Sequence, residues 1–150
     1  MSEQVYLDYA ATAPLLPCAR EKMLEVMGLR PGNASSLHEA GHLAHEIVEE
    51  SRAQIAQLIG AEPEEIIFTS GGSEANNTVM ETFRGRKVAT SAIEHPSILE
   101  SAKARASEVI ILPVDQTGRL ELTGLEEKIK GCRLVSVMLA NNELGTIEPI

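Results

Sequence analysis

Aromatic residues and basic charge are both scarce in this chain of 150 residues. It has no tryptophan, two tyrosines and two phenylalanines, so few flat side chains are present on which nucleobases could stack. The 13 lysines and arginines are outnumbered by 22 aspartates and glutamates, which gives a formal net charge of -9. Because a nucleic-acid backbone is itself negative, we expect no nucleic-acid partner.

Cysteine and long apolar runs are scarce as well. The two cysteines, Cys18 and Cys132, form no CxxC pair, so neither a disulfide framework nor a zinc ribbon is indicated. The longest strongly apolar runs, such as residues 135–140, are too short to span a bilayer, and no apolar signal region begins the chain. These features predict a reduced, cytoplasmic protein without a membrane partner.

The sequence does contain a regular alternation of short apolar runs and amphipathic stretches. It predicts strands at residues 66–69, 87–91, 109–114 and 133–140, after a short extended run at 5–9. It also predicts a first helix that starts at Pro14 or Pro17 and continues to about Met27, and further helices at 36–60, 74–83, 96–106 and 123–131. Such alternation is typical of α/β proteins, in which a mainly parallel sheet lies in the middle of three layers with helices on both faces. We expect residues 1–60 to be an N-terminal segment with helices that pack on this domain, and residues 61–150 to be the domain's first part.

Helix starts are marked by four candidate caps. Ser36 and Thr123 are each followed three residues later by glutamate, which is the capping-box pattern. Ser73 follows two glycines, and His95 precedes a proline suited to the first turn of a helix. We expect each of these four residues to cap the helix that follows it.

The stretch from Phe68 to Asn77 indicates a binding site. An apolar run ends at a Ser-Gly-Gly-Ser turn, and a helical segment follows. Glycines allow a ligand to approach the backbone closely, and the free N–H groups of a helix start attract an anion. We interpret Gly72 and Ser73 as a phosphate cradle, although an ordinary strand–turn–helix joint has the same pattern.

Further polar residues follow the other predicted strands. In open α/β sheets ligands bind at the carboxyl ends of the strands, which would bring Glu94, His95, Asn141 and Asn142 to the edge that holds the glycine turn. An anion site, an imidazole and amide groups suit a phosphorylated aromatic ligand. Helix capping alone would also account for His95, and a turn would account for the two asparagines.

Several blocks of sequence together resemble the class-V aminotransferase family of pyridoxal-phosphate enzymes, and most closely its cysteine desulfurases. The blocks are residues 6–14 (YLDYAATAP), 32–38 (GNASSLH) with Gly41, 68–77 (FTSGGSEANN), 93–95 (IEH) and 141–145 (NNELG). The resemblance implies the N-terminal portion of the large domain of the fold type I of pyridoxal-phosphate-dependent transferases. Two departures are Ala34, where the family often has proline, and Glu148, where glutamine is frequent.

The resemblance also implies roles for individual residues. Gly72 and Ser73 correspond to the pair that holds the phosphate of pyridoxal 5'-phosphate. His95 corresponds to the catalytic histidine that stacks on the pyridine ring and relays protons. Asn142 corresponds to the asparagine that contacts the ring hydroxyl and the substrate carboxylate side, and Asn33 lies in a loop near the active-site entrance.

The activity implied for the intact enzyme is conversion of L-cysteine to L-alanine. Sulfur would pass as an enzyme persulfide to an acceptor such as an iron–sulfur scaffold protein. The resemblance covers only the N-terminal part of the family's sequences. The family's Schiff-base lysine and sulfur-accepting cysteine belong to the part that it does not cover. None of the lysines matches the family's lysine motif, so we expect this chain alone to be inactive and not to bind the cofactor covalently.

Other interpretations remain open. The chain could belong to another class-V enzyme, such as a selenocysteine lyase or an aminotransferase, or be a non-catalytic half of a split enzyme. Residues 38–42 (HEAGH) also match the zinc-protease pattern, with His45 nearby, although Gly41 weakens such a helix and we expect no metal site. A sheet edge at residues 133–140 would favour a homodimer.

Overall fold

The computed structural model describes residues 5–29 and 31–150. The chain divides into two compact units, whose boundary lies between Phe68 and Thr69. The first unit contains α1 (Pro17–Met27), α2 (Glu39–Ile59) and a 3-10 turn (Pro63–Glu65). The second contains α3 (Gly72–Thr82), β1 (Lys87–Ser91), α4 (Pro96–Arg105), β2 (Glu108–Leu112), α5 (Leu125–Ile129) and β3 (Leu134–Ser136).

The second unit is built on a parallel sheet of three strands in the order β2-β1-β3. The central strand β1 is the most buried, with four of its five residues fully enclosed. Val88 is paired with Val109 on one side and with Leu134 on the other. Since parallel neighbours require a crossover connection, α4 and α5 occupy the connections that the alternating sequence predicts.

Helices cover both faces of this sheet. On one face Met80 of α3 and Ala102 of α4 pack against Val88. On the other face Ala89 and Leu112 form a second cluster, against which Leu125, Ile129 and other partly buried side chains of the α5 region pack. The alternation of Val88 and Ala89 between the two clusters follows from the period of two in a strand. The predicted α/β architecture, with a parallel sheet between helical layers, is confirmed.

The first unit has a long helix whose start is held by close backbone packing. The side chain of His38 caps α2, because its Nδ1 accepts the backbone N–H of Gly41 at 3.2 Å. A Cβ on Gly41 would lie 2.3 Å from the backbone oxygen of Ser36, so the preceding loop can pack there only against a glycine. The predicted cap at Ser36 is therefore wrong. The cap is His38, so α2 begins two residues later than a cap at Ser36 would place it. The helix does end before Gly60, which adopts the left-handed conformation with a φ of 70°.

Two predicted strands differ from the structure. Residues 66–69 form no strand, and Ile67 is 78% exposed. The backbone N–H of Ile66 donates to the Pro63 oxygen, and the Ile66 oxygen accepts a hydrogen bond from the side chain of Arg52. These groups are therefore not paired with a neighbouring strand, as they would be in a sheet. The last strand is shorter than predicted, since β3 has three residues where eight were expected at 133–140.

Two predicted caps in the second unit are also wrong. Helix α3 begins at Gly72 with Gly71 as its cap, so Ser73 is the second helical residue. The cap of α5 is Gly124, in a left-handed conformation with a φ of 68°, in place of Thr123. At both positions glycine permits the sharp change of direction into the helix, and no side-chain cap is formed. Across residues 5–29 and 31–150, no helix combines the length and the apolar character that crossing a bilayer would need.

Candidate functional site

His95 lies directly before α4 and caps it, as the sequence predicts. Its Nδ1 accepts the backbone N–H of Ser97 at 3.1 Å and lies 2.8 Å from the Ser97 hydroxyl oxygen. Pro96 occupies the first helical position, where its fixed φ and missing N–H cause no loss. The ring of His95 is therefore held on its Nδ1 side while the residue remains exposed.

Asn141 organises the turn that follows β3. Its Oδ1 accepts the backbone N–H groups of Glu143 at 2.9 Å and Leu144 at 2.8 Å. Its Nδ2 donates to the backbone oxygen of Ile93 at 3.1 Å, and the residue is only 8% exposed. The turn after β3 is thus joined to the segment after β1, and the neighbouring Asn142 is left exposed.

Glu94 joins the same two segments from the other direction. Its Oε1 accepts hydrogen bonds from the Ser91 hydroxyl and from the backbone N–H of Met138, both at 2.7 Å. Glu94 is 7% exposed, so this carboxylate is buried and shared between the ends of β1 and β3. The segments enclose a cavity of about 350 Å³ that is lined by residues 93–96 and 141–144.

The cavity brings two of the predicted site residues together. His95 and Asn142 both line it, together with Glu94 and Asn141. The rule that ligand-binding residues collect at the carboxyl ends of parallel strands therefore places this pair correctly. Gly72 and Ser73 do not line this cavity; they are exposed at the start of α3.

The start of α3 offers free backbone donors. Its first helical hydrogen bond runs from the N–H of Ala75 to the oxygen of Gly71 at 3.1 Å, which leaves the N–H groups of residues 72–74 without a helical acceptor. Glu74 folds back, and its carboxylate accepts the N–H of Ser70 at 2.6 Å. That hydrogen bond lowers the pKa of Glu74 from its ordinary value of 4.5. The helix start thus already holds one carboxylate. The space beside the Cα of Gly72 is open, since no atom lies within 4 Å of the position that a Cβ would take there.

A polar contact joins the start of α3 to the start of α4. Asn76 Nδ2 donates to the Ser97 hydroxyl oxygen at 2.8 Å, and Ser97 in turn contacts His95. Asn76 lies about one helical turn beyond Ser73. This hydrogen bond ties the predicted phosphate cradle to the predicted ring-stacking residue. Asn76 and Ser97 were not singled out from the sequence, since their contact depends on how α3 packs against α4.

These residues fit the chemistry of pyridoxal 5'-phosphate. Free N–H groups and the Ser73 hydroxyl suit its phosphate, the imidazole of His95 suits its flat ring, and the exposed amide of Asn142 suits its ring hydroxyl. No lysine lines the cavity of His95 in the part of the chain that the structure describes. Lys22, Lys87, Lys103 and Lys130 are instead each paired with a glutamate.

The HEAGH segment is not arranged for zinc. His38 is used as a helix cap, because its Nδ1 accepts the N–H of Gly41. Within residues 5–29 and 31–150, no three or more His, Cys, Asp or Glu side chains come together in a group that could hold a metal ion. The zinc-protease alternative therefore gains no support from the structure.

Comparisons with known proteins agree with the sequence blocks. The family model described as Aminotransferase class-V matches residues 5–150. Cysteine desulfurase IscS of Dictyoglomus turgidum is 41% identical over 160 aligned positions, which cover 100% of this chain and 41% of that protein. Cysteine desulfurase IscS 1 of Archaeoglobus fulgidus is 42% identical, over 97% of this chain and 41% of the relative. The chain thus spans about 41% of the length of these relatives.

A solved structure supports the same assignment of fold. The NifS-like protein from Rickettsia africae superposes with a TM-score of 0.89 at 34% identity. The match covers 97% of this chain and 42% of the other.

Proposed function

Because this chain belongs to the class-V aminotransferase family, we propose that it forms the phosphate-binding and ring-binding part of a pyridoxal-phosphate-dependent cysteine desulfurase. The proposal is supported by relatives named cysteine desulfurases, which are 41% and 42% identical to nearly the whole chain. The reaction proposed for the protein as a whole converts L-cysteine to L-alanine. The released sulfur passes as a persulfide to an acceptor such as an iron–sulfur scaffold protein.

The four site residues divide the binding of the cofactor between them in this proposal. The N–H groups of Gly72 and Ser73, together with the Ser73 hydroxyl, bind the phosphate of the cofactor. His95 stacks on the ring of the cofactor and relays protons. Asn142 hydrogen-bonds the ring hydroxyl. The cofactor, when bound, supplies an electron sink for the substrate.

The observation that carries the proposal is the shared cavity of His95 and Asn142. Two buried side chains, Glu94 and Asn141, hold the walls of that cavity together through hydrogen bonds of 2.7 and 3.1 Å. Preorganised walls keep the imidazole and the amide in place before a ligand arrives, which lowers the entropic cost of binding. The Asn76–Ser97 contact supports the inclusion of the α3 cradle in the same site.

Equilibrium dialysis against pyridoxamine phosphate tests the proposal. This analogue carries an amine in place of the aldehyde, so it cannot react with surface lysines, and it isolates non-covalent binding. We expect Ser73→Ala to weaken binding about 10- to 150-fold, because a hydrogen bond to a charged group contributes about 1.5–3 kcal/mol. Ser107→Ala, at an exposed serine of the same unit, is the matched control and should leave the affinity unchanged.

Pyridoxamine without its phosphate separates the two halves of the site. If the cradle at α3 holds the phosphate, this compound binds much more weakly than pyridoxamine phosphate, and Ser73→Ala has no further effect on it. Equal affinities for the two compounds, or equal effects of the Ser73 and Ser107 variants, would contradict the proposed cradle.

We also propose a cytoplasmic homodimer. Both cysteines are free thiols, which suits a reducing compartment. The edge strand β3 carries Val135 at 43% exposure, and α1 has no buried residue while Met23, Leu24 and Met27 are 48%, 54% and 72% exposed. Apolar side chains exposed on a helix and at a sheet edge favour burial against a second copy.

A further inference from the structure

A continuous chain of hydrogen bonds runs from α3 through Ser97 to the imidazole of His95. Asn76 Nδ2 lies 2.8 Å from Ser97 Oγ, and Ser97 Oγ lies 2.8 Å from His95 Nδ1. The backbone N–H of Ser97 reaches the same Nδ1 at 3.1 Å. Asn76 and Ser97 are both half-buried, so water competes with these bonds less than at an exposed site.

The direction of each bond follows from which group can donate. The amide nitrogen of Asn76 can only donate, so the Ser97 oxygen accepts from it. The Ser97 hydroxyl proton is then free to point at His95 Nδ1, which already accepts the Ser97 N–H. With two donors aimed at it, Nδ1 carries a lone pair, and the proton of the neutral ring lies on Nε2.

We propose that Asn76 and Ser97 are positioning residues that hold His95 as its Nε2–H tautomer with a fixed ring plane. This inference rests on the proposed function, in which His95 stacks on the cofactor ring. An imidazole turned by 180° would lose both hydrogen bonds to Nδ1. The donors therefore favour one orientation of the ring, in which Nδ1 faces Ser97. His95 therefore exchanges protons at Nε2, while Nδ1 stays bound to Ser97.

Nitrogen-15 NMR of the histidine rings tests the proposal on the cofactor-free chain. At a pH where the imidazole is neutral, we expect His95 Nδ1 to give a pyridine-type shift and Nε2 a pyrrole-type shift. Ser97→Ala removes the hydroxyl donor, and Asn76→Asp replaces the donating amide with a carboxylate that accepts the Ser97 proton instead. In both variants the two ring-nitrogen shifts should move toward each other, as expected when the second tautomer becomes populated.

Two further variants distinguish positioning from a general loss of structure. Ser97→Thr keeps the hydroxyl and the backbone N–H, so it should restore the wild-type pair of shifts. Asn77→Asp is the matched control, because Asn77 lies next to Asn76 but donates only to the Ser73 oxygen of its own helix, at 2.8 Å. It introduces the same charge and should leave the His95 nitrogens unchanged.

The outcomes separate this inference from the proposed function. A pyrrole-type Nδ1 in the wild-type chain, or unchanged His95 shifts in Ser97→Ala and Asn76→Asp, would overturn the positioning role whatever the cofactor does. If the shifts respond as expected but His95→Ala binds pyridoxamine phosphate as tightly as wild type, the positioning role stands and the proposed ring contact is contradicted.

Discussion

Glu94 accepts the backbone N–H of Met138, a residue 44 positions later in the chain, at 2.7 Å. The same carboxylate oxygen accepts the Ser91 hydroxyl, and Asn141 returns a bond to the Ile93 oxygen. The segment that carries His95 is thus fixed to the segment that carries Asn142 by side chains that are themselves buried. The geometry of the cavity depends on this pair of cross-connections.

Removing the Glu94 carboxylate should be strongly destabilising. Glu94→Ala leaves the Ser91 hydroxyl and the Met138 N–H without their acceptor, and we expect a loss of about 2–3 kcal/mol in the free energy of unfolding. Glu94→Gln keeps an oxygen that can accept both hydrogen bonds, so its loss in the free energy of unfolding should be about 1 kcal/mol smaller than that of Glu94→Ala. Urea denaturation followed by circular dichroism measures both changes.

Glu100→Ala is the control for this series. Glu100 is exposed and pairs with Lys103 at 2.7 Å, and such surface ion pairs contribute about 1 kcal/mol or less. Equal losses for Glu94→Ala and Glu100→Ala would show that the cross-connection contributes no more than a surface pair.

Alanine at Gly41 should destabilise α2, although alanine normally favours a helix. The new Cβ would lie 2.3 Å from the Ser36 backbone oxygen, and a backbone atom cannot move aside as a flexible side chain does. We expect the clash to outweigh the gain of about 0.5–1 kcal/mol that replacing a helical glycine by alanine gives. Overpacking typically costs about 1–3 kcal/mol, so the melting temperature should fall.

Gln57→Ala provides the comparison, at an exposed position of the same helix. It should change stability by about 0.5 kcal/mol or less. If Gly41→Ala raises the melting temperature, the close approach between Gly41 and Ser36 does not exist in solution.

Glu81 should make the stability of the chain depend on pH in the acid range. Its hydrogen bond from Arg84, with a second contribution from Arg105, lowers the pKa of Glu81 from 4.5 to about 2. Between these two values the unfolded chain binds more protons than the folded one, so stability falls as the pH drops from 4.5 toward 2. Glu81→Gln should therefore remove part of the acid sensitivity, as measured by the urea midpoint at a series of pH values.

Salt and a second variant check this prediction. Because the Glu81 side chain is 51% exposed, added salt should weaken the effect. Glu127→Gln, which removes an exposed pair with a separation of 3.6 Å from Lys130, serves as the control. A difference between wild type and Glu81→Gln that does not change with pH would be inconsistent with the lowered pKa.

Local signals explain which parts of the structure could be predicted. The cap at His95 and the helix after Pro96 depend on neighbouring residues, and β1 is a short run of five residues that the sequence predicts with the same bounds. Residues 66–69 have the same composition as a strand, but a strand requires a partner, and nothing in a local pattern reveals whether one is present. The capping box at Ser36 was wrong for a related reason, since close packing at Gly41 moves the helix start to His38.

Long-range contacts explain what could not be predicted in the candidate site. The rule about strand ends placed His95 and Asn142 at one cavity. The contact between Asn76 and Ser97 spans 21 positions and is set by the packing of α3 on α4, so no spacing in the sequence indicates it. Glu94 was recognised by position alone, and its bond to Met138 appears only when β1 and β3 are paired.

A chemical-shift map of the chain with pyridoxamine phosphate shows whether one site holds both the phosphate and the ring. Backbone amide spectra recorded during a titration report which residues contact the ligand. We expect the amides of Gly72, Ser73, His95 and Asn142 to shift together with one dissociation constant, while inorganic phosphate shifts only Gly72 and Ser73. Shifts confined to the start of α3 with both compounds, or different dissociation constants for Ser73 and His95, would contradict a single site that holds the phosphate and the ring.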